Sequence, residues 1–226
     1  MNMKQNIAVA VDGPAGSGKS TVAKEIAKKL GILYIDTGAM YRSVAFACMK
    51  QHVVLEDEKA VLAVLENLDM QIVPQTGGQR IFLYGEDVTE KIRTQEIGAG
   101  ASVVSAYQKV RKKLVEIQRR LSKSHDVIMD GRDIGTKVLP DAQVKIYLDA
   151  SVAERAKRRV GELEAQGKQA DLEIVKKEIE ERDYQDMHRK YSPLCKADDA
   201  VVLDSTGLDI AAVTEKILEI VAQKTK

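Results

Sequence analysis

Short apolar runs alternate with longer amphipathic segments along the first fifty residues of the chain. Residues 7–11 are apolar throughout, which is typical of a strand buried on both faces of a parallel sheet. Residues 19–30 follow with apolar positions at helical spacing, and a second strand at 32–35 and a second helix at 40–51 come next. The apolar stripe of the first helix consists of Val22, Ile26 and Leu30. This β–α–β–α order predicts a doubly wound α/β sheet.

The pattern changes in the middle of the chain. A helix is expected at 58–68. Strand-like runs over 70–88, on either side of a Gly77-Gly78 turn, predict a hairpin or a three-stranded antiparallel unit inserted in the α/β chain. One long helix is then expected at 101–121. Its apolar face consists of Val103, Tyr107, Val110, Leu114, Ile117 and Leu121.

The remaining segments return to the α/β pattern. Strands are predicted at 127–129, 144–148 and 201–203, and helices at 152–166, 171–190 and 210–224. The fold class is therefore predicted as α/β, a doubly wound parallel-sheet core with a small antiparallel β/helical insertion and a short helical lid. We assign residues 1–67, 106–152 and 191–226 to the core, 68–105 to the insertion and 153–190 to the lid.

Composition narrows the classes of function that the chain supports. Of 226 residues, 44% are apolar and 31% are charged, which suits a globular protein with a sizeable core. The 35 Lys and Arg residues nearly balance the 34 Asp and Glu residues, so no overall positive field is available to attract nucleic acid. Aromatic residues make up only 4%, without Trp, which also argues against stacking on bases. We therefore expect no nucleic-acid partner.

The compartment and the oligomeric state are inferred from weaker signals. No apolar run reaches the length of a membrane span, and the first six residues do not have the pattern of a secretory signal. Two distant cysteines, Cys48 and Cys195, show no metal-type spacing and are expected to be reduced and buried, although they could form one disulfide. We predict a cytoplasmic protein without a membrane partner. Without a long exposed apolar stripe, we also predict a monomer.

A glycine-rich turn joins the first predicted strand to the first predicted helix. It fits the pattern G-x-x-x-x-G-K-[ST] in full. The turn comprises Gly13, Pro14, Ala15, Gly16, Ser17, Gly18, Lys19, Ser20 and Thr21. Its glycines let successive backbone N–H groups surround a β-phosphate, and the helix N-terminus adds partial positive charge. Lys19 is expected to reach the β- and γ-phosphates of ATP, and the Ser20 hydroxyl to ligate Mg²⁺.

Two alternative interpretations of this turn are weaker. A glycine-rich turn that binds nothing would not require the complete motif in the correct strand–turn–helix context. A GTPase would carry an Asn-Lys-x-Asp motif after a strand, and the chain has none. We therefore interpret the turn as a phosphate cradle for ATP.

Two further polar clusters follow predicted strands, where ligands bind in open α/β sheets. Thr37 and Arg42 come after the second strand, and Asp130, Arg132 and Asp133 come after the strand at 127–129. Asp130 lies where a carboxylate would act on Mg²⁺, directly or through water. Thr37 could instead cap a helix, and Asp130 could cap the following turn. The arginines have less structural reason to be there and indicate a second anion.

The charged helices near the C-terminus supply another arginine cluster. Arg182, Asp186 and Arg189 have the spacing of one helical face. A second group with helical spacing consists of Arg155, Arg158 and Arg159. Solvated faces with weak ion pairs are the alternative, but a phosphate cradle in the same chain favours arginines that close over transferring phosphates. The three histidines form no metal-type cluster, and an anionic acceptor phosphate needs no general base.

In these segments the chain resembles the bacterial cytidylate (CMP/dCMP) kinases, a family of nucleoside-monophosphate kinases. The matching segments are 12–21, 35–42, 92–96, 130–136, 144–150, 181–183 and 203–206, which together span essentially the whole chain. The sequences Asp-Gly-Arg-Asp-Ile-Gly-Thr and Thr-Gly-Ala-Met-Tyr-Arg are the most specific. One departure is Ser20, where many such kinases have Gly; Ser retains the hydroxyl that binds Mg²⁺.

The resemblance implies a role for each matching residue. Lys19, Arg132 and Arg189 would be catalytic, and residues 13–21 together with Arg158 would bind ATP. Thr37, Arg42, Arg132 and Arg189 would hold the acceptor phosphate, whereas Ser102, Arg111 and Asp133 would bind the cytosine edge. Arg182 and Asp186 would contact the ribose. Ser20 and Asp130 would hold Mg²⁺, and Arg155, Arg158 and Arg159 would belong to the lid.

The residues themselves support cytosine, because its exocyclic amine donates a hydrogen bond that a carboxylate at Asp133 accepts. The resemblance thus implies phosphoryl transfer from ATP to CMP or dCMP in pyrimidine nucleotide metabolism. A uridylate-preferring kinase is the nearest alternative. A nucleotide-dependent switch without catalysis is the alternative from another class.

Overall fold

The computed structural model describes residues 6–75 and 78–225. The strands are β1 Ala8–Asp12, β2 Leu33–Asp36, β3 Met70–Gln75, β4 Gly78–Leu83, β5 Glu86–Asp87, β6 Val127–Gly131, β7 Val144–Asp149 and β8 Val201–Asp204. The helices are α1 Lys19–Leu30, α2 Thr37–Lys50, α3 Glu58–Glu66, α4 Gln95–Val104, α5 Gln108–Ser124, α6 Val152–Ala165, α7 Leu172–His188 and α8 Ile210–Lys224. A short 3₁₀-helix and a short π-helix lie at Lys91–Arg93 and Ile134–Val138. The predicted α/β class with a small antiparallel unit is confirmed.

Five parallel strands form the main sheet in the order β2–β6–β1–β7–β8. Because β6 lies between β1 and β2, the carboxyl ends of these three strands are adjacent. Their last residues are in register, with Asp36 opposite Asp130 and Asp12 opposite Gly131. The candidate residues that follow β1, β2 and β6 therefore meet at one edge of the sheet.

Apolar side chains cover both faces of this sheet. Val9 and Val11 point into one core with α1 and α8, and Ala10 and Met129 point into a second core with α2 and α5. The alternation explains why residues 7–11 are apolar throughout, since each face of the central strand packs against helices. Among the described residues, no helix is both long and apolar enough to cross a membrane.

The predicted antiparallel unit consists of β3, β4 and β5. Ile81 and Leu83 of β4 are buried in the core that contains α2, which fixes this sheet beside the end of β2. The hairpin closes on the pair Gln75 and Gly78. Gly77 of the predicted turn lies outside the described residues, as do the first five residues of the chain.

The prediction of one helix over 101–121 is wrong, because α4 and α5 are separate helices. Tyr107 is extended (φ −81°, ψ 123°), and its hydroxyl donates to the Leu55 carbonyl oxygen. Gly100 allows α4 to lie directly against α2, since a Cβ there would be 2.6 Å from a Leu55 methyl and 3.2 Å from Ala45 Cβ. α5 packs instead across α2, α3 and the π-helix. One straight helix could not make both sets of contacts.

Among the helix boundaries that differ from the prediction, two lie beside candidate site residues. α2 begins at Thr37, three residues earlier than expected, because the Asp36 carboxylate caps it by accepting the Ala39 N–H. α7 ends at His188, so Arg189 lies just beyond the helix in extended conformation (φ −62°, ψ 143°). Neither the 3₁₀-helix nor the π-helix was predicted.

Candidate active site

The glycine-rich turn joins β1 to α1, the context predicted for a phosphate cradle. Gly13 has a φ of +150°, and a Cβ there would lie 2.0 Å from the Leu148 carbonyl oxygen, so only glycine fits. The buried Lys19 ammonium donates to the Pro14 carbonyl oxygen and, at 3.1 Å, to Ser17 Oγ. Burial and, secondly, the charge of Arg132 lower the pKa of Lys19 to about 7. An added anion would relieve both effects.

Ser20 and Asp130 are brought together across the sheet edge. Ser20 Oγ donates to Asp130 Oδ2 at 2.7 Å, and the Tyr34 hydroxyl donates to Asp130 Oδ1 at 2.9 Å. Burial and the neighbouring Asp36 raise the pKa of Asp130. A hydroxyl beside a carboxylate at a phosphate cradle suits a divalent cation that also binds phosphate oxygens. Within residues 6–75 and 78–225, no group of three or more His, Cys, Asp or Glu residues could hold a metal ion. A cation at Ser20 and Asp130 would therefore need phosphate oxygens as further ligands.

Thr37 and Arg42 are placed by the end of β2. Thr37 does not cap α2, since its hydroxyl donates to the Asp130 carbonyl oxygen at 2.7 Å and Asp36 is the cap. Asp36 also pairs with Arg42 through a contact of 2.9 Å between Arg42 Nη2 and Asp36 Oδ2. Arg42 Nε is buried without a hydrogen-bond partner among the described residues.

Arg111 and Asp133 form a buried ion pair of 2.6 Å, with each side chain about 5% exposed. Arg111 also donates to the Ser105 carbonyl oxygen at 3.1 Å and lies over the Tyr41 ring. Ser102 lies nearby in sequence on α4, but among the described residues its hydroxyl makes no hydrogen bond to this pair. The structure thus brings two of the three predicted base-binding residues into direct contact.

Arg132, Asp186 and Arg189 form a second cluster. Arg132 Nε donates to Asp186 Oδ2 at 2.8 Å, and Arg189 Nη1 lies 3.4 Å from Asp186 Oδ1. Arg189 Nη2 is 3.9 Å from Asp133 Oδ1, which links the two clusters. Although burial acts to raise it, Arg132 and Arg189 hold the pKa of Asp186 below its usual range. Burial and Arg132 lower the pKa of the adjacent Arg182 to about 10.

Four arginines of these clusters retain a buried N–H group that has no partner within the described residues. The atoms are Arg42 Nε, Arg111 Nε, Arg182 Nε and Arg189 Nη2. Leaving one buried donor of a charged group unpaired is costly, and a folded protein rarely leaves several in one region. A nucleotide, whose phosphate, ribose and base all carry hydrogen-bond acceptors, would satisfy them.

The three arginines of α6 do not act alike. Arg155 is buried, where Nη1 donates to Asp183 Oδ2 at 2.6 Å and to the Ala15 carbonyl oxygen at 3.0 Å. Arg158 donates to Ser205, whose Oγ lies 3.4 Å from the Ser17 carbonyl oxygen. Among the described residues, the third arginine, Arg159, pairs with the exposed Glu162 on its own helix and with no other carboxylate. The structure therefore brings the first two to the phosphate cradle and leaves Arg159 at the surface.

Three buried aspartates of the site were given no role from the sequence. Asp36 accepts the Ala39 N–H of its own helix, Asp12 accepts the N–H groups of Ile134 and Gly135, and Asp183 accepts that of Ala15. Burial raises the pKa of Asp12 to about 6, against the lowering effect of the two N–H groups that it accepts. The position of Asp12 and Asp36 at strand ends is a signal that could have identified them. Nothing in the sequence pairs Asp183 with Arg155.

Comparison with known proteins gives one consistent family. The family model described as cytidylate kinase matches residues 9–223. A cytidylate kinase of Geobacillus sp. is 50% identical over 222 residues, covering 98% of this chain and 99% of the relative. One from Lactobacillus johnsonii is 52% identical over 218 residues, with 96% and 95% covered. Another, from Bacillus subtilis, is 46% identical over 224 residues, with 99% and 100% covered.

Solved structures support the fold at much lower sequence identity. An uncharacterised protein from Eubacterium ventriosum has a TM-score of 0.56 at 13% identity, covering 96% of this chain and 99% of the other. A protein from Thermus thermophilus has a TM-score of 0.50 at 18% identity, with 99% and 100% covered. These similarities concern the architecture alone.

Proposed function

The chain belongs to the cytidylate kinase family, and on this premise we propose how its residues divide the work between two nucleotide sites. The reaction is transfer of the γ-phosphoryl group from ATP to CMP or dCMP, which gives ADP and CDP or dCDP. The observation that supports these residue roles best is the set of four buried guanidinium nitrogens that have no hydrogen-bond partner among the described residues.

The donor site is formed by residues 13–21 and Arg158. The backbone N–H groups of the turn surround the β-phosphate, and the α1 N-terminus adds partial positive charge. Lys19 leaves its two partners within the turn and bridges the β- and γ-phosphates. Because phosphate raises the pKa of Lys19, the ammonium is charged when transfer occurs.

A divalent metal belongs to this chemistry, and we propose Mg²⁺ held by Ser20 and, directly or through water, by Asp130. When bound, Mg²⁺ would supply positive charge that offsets the charge of the ATP phosphates. Tyr34 keeps the carboxylate of Asp130 oriented toward Ser20. Ser20→Ala should raise the Mg²⁺ concentration that gives half-maximal activity, whereas an unchanged requirement would argue against Ser20 as a ligand.

The acceptor site is formed at the ends of β2 and β6. We propose that Thr37, Arg42, Arg132 and Arg189 bind the acceptor phosphate, that Ser102, Arg111 and Asp133 bind the cytosine edge, and that Arg182 and Asp186 bind the ribose. The Asp133 carboxylate accepts a hydrogen bond from the exocyclic amine of cytosine, whereas uracil has a carbonyl oxygen, an acceptor, at the same position. With UMP bound, the buried carboxylate and the uracil carbonyl oxygen would face each other, and neither would have a hydrogen-bond donor.

Catalysis then rests on position and charge. The acceptor phosphate is already an anionic nucleophile, so no general base is needed. Lys19, Arg132 and Arg189 neutralise charge that spreads over the transferring group. We further propose that the 68–105 insertion and the 153–190 lid close over the nucleotides, and that the enzyme is a cytoplasmic monomer that binds no nucleic acid.

Acceptor-dependent ADP formation tests the proposal. Wild-type enzyme with ATP and Mg²⁺ is assayed against CMP, dCMP, UMP, AMP and GMP, with Lys19→Ala as the inactive control. We expect fast turnover with CMP and dCMP, and a smaller preference for CMP over UMP in Asp133→Ala. If Asp133→Ala prefers CMP over UMP as strongly as the wild type does, the proposed role of Asp133 is wrong. Turnover with UMP alone would favour a uridylate kinase.

A further inference from the structure

Residues 130–135, here called the β6 hook, carry two proposed acceptor-site residues between two anchors. At one end Thr37 Oγ1 donates to the Asp130 carbonyl oxygen at 2.7 Å. At the other end the carboxylate of Asp12 accepts the N–H groups of Ile134 and Gly135, each at 2.7 Å. Arg132 and Asp133 lie between these anchors along the chain.

The hook is tightly packed. A Cβ at Gly131 would lie 2.6 Å from Ile134 Cδ1 and 2.8 Å from Thr37 Oγ1. A Cβ at Gly135 would lie 3.4 Å from Asp12 Oδ2 and 3.2 Å from Lys145 Cδ. Small movements at either anchor would therefore be transmitted to the two residues between them.

Asp133 occupies the cap position of the π-helix that follows, yet its carboxylate does not cap that helix. An aspartate at this position ordinarily accepts N–H groups of the first helical turn. Here Asp12, from the neighbouring strand, already accepts the N–H groups of Ile134 and Gly135, and the Gly135 N–H is one that an aspartate at the cap position would otherwise accept. The carboxylate of Asp133 instead contacts Arg111 at 2.6 Å and lies 3.9 Å from Arg189.

We propose that Asp12 is a positioning residue that sets acceptor specificity: by capping the helix after β6, it frees Asp133 for the cytosine edge. This inference rests on the proposed role of Asp133. Asp12 immediately precedes Gly13, so the same residue joins the root of the phosphate cradle to the acceptor site. Without its carboxylate, the free N–H groups attract the side chain of Asp133 and draw it away from Arg111.

The conservative variant Asp12→Asn tests this directly. Its amide keeps the shape but has one acceptor oxygen, so its NH₂ group faces one of the two backbone N–H donors. We measure kcat and KM with CMP and UMP and the Kd for ATP, and compare Asp209→Asn as a matched control. Asp209 also accepts a backbone N–H, that of Ala212 at 2.7 Å, but at the start of α8.

The expected result is a drop of about tenfold or more in the ratio of kcat/KM for CMP to that for UMP, the size expected for one buried hydrogen bond to a charged group. The Kd for ATP should change by less than about threefold. Asp209→Asn should leave the ratio unchanged. In an Asp133→Ala background, Asp12→Asn should cause no further loss of discrimination, because the residue acts through Asp133.

Two outcomes overturn the inference. One is an unchanged CMP:UMP ratio in Asp12→Asn; the other is a loss that adds fully to that of Asp133→Ala, as general damage to the fold would produce. If Asp12→Asn does not fold, Asp12→Glu tests the same contact, because the longer side chain keeps both acceptor oxygens but displaces them from the N–H groups of Ile134 and Gly135; a smaller fall in the ratio is expected. Wild-type enzyme without a CMP preference would instead refute the base-binding role of Asp133, and the inference with it.

Discussion

The ion pair between Arg155 and Asp183 predicts a measurable link between the lid helices and the phosphate cradle. Both side chains are at least nine-tenths buried, and the contact of 2.6 Å joins α6 to α7. Asp183 Oδ1 also accepts the Ala15 N–H at 3.3 Å, so the carboxylate supports the cradle itself. Asp183→Ala would leave a buried guanidinium without its counter-charge.

The structure sets the size of the effect. Removing one partner of a buried ion pair costs about 3–5 kcal/mol. Arg155 keeps its bonds to the carbonyl oxygens of Ala150, at 2.9 Å, and Ala15, at 3.0 Å. We therefore expect a loss near the lower limit, about 3 kcal/mol in the free energy of unfolding. For a chain of this length that corresponds to a fall of about 6–12 °C in Tm.

Thermal unfolding of single and double variants provides the assay. Asp183→Ala and Arg155→Met are combined in a double-mutant cycle, because the double variant removes both charges together. We expect it to be clearly more stable than the sum of the single losses implies. Glu162→Ala removes the exposed partner of Arg159 on the same helix and should change stability by less than about 1 kcal/mol. Additive losses in the cycle would refute the buried coupling.

Three further predictions concern protonation, the acceptor phosphate and the thiols. Since the pKa of Lys19 is lowered to about 7 and bound phosphate raises it, ATP binding at about pH 8.5 should take up nearly one proton. Calorimetry in buffers of different ionisation enthalpy measures this uptake, and Lys19→Arg, which stays charged, should abolish it. Arg42→Lys keeps a positive charge but loses the unpaired Nε, so kcat/KM for CMP should fall about 10–100-fold with the KM for ATP unchanged; an unchanged kcat/KM would contradict a phosphate contact. The expectation that both thiols are buried is wrong for Cys195, which is exposed, whereas Cys48 is buried and burial raises its pKa to about 11. A thiol reagent should therefore modify Cys195 rapidly and Cys48 only after unfolding; rapid modification of both would contradict this.

Local sequence predicted the elements whose signals are self-contained. α1 and α8 have the predicted bounds, because an apolar stripe of helical period and flanking turn residues are sufficient to define them. The division of α4 from α5 was not predictable in this way, because the apolar pattern continues through Tyr107. The extended conformation of Tyr107 depends on its contact with Leu55, which is 52 residues away in sequence.

The candidate site also has a part that the sequence predicts and a part that it does not. The motif at 13–21 and the arginines were visible because their types and spacing are unusual for a surface. The partners of these residues were not visible in the sequence. Asp12 accepts the Ile134 N–H, and Asp183 pairs with Arg155, although the members of each pair are far apart in sequence and meet only in the folded protein. A sequence shows which charges are present, whereas burial and register decide which of them meet.

These partners explain how so many arginines are held together before any substrate binds. A guanidinium has five N–H donors, and one carboxylate uses at most two of them in a forked contact. Asp36, Asp133 and Asp186 each pair with an arginine of the proposed acceptor site and so offset the repulsion among neighbouring guanidinium groups. Donors left over on Arg42 and Arg189 remain buried and unpaired within the described residues. Phosphate therefore adds to arginines that are already oriented, and their carboxylates need not be displaced.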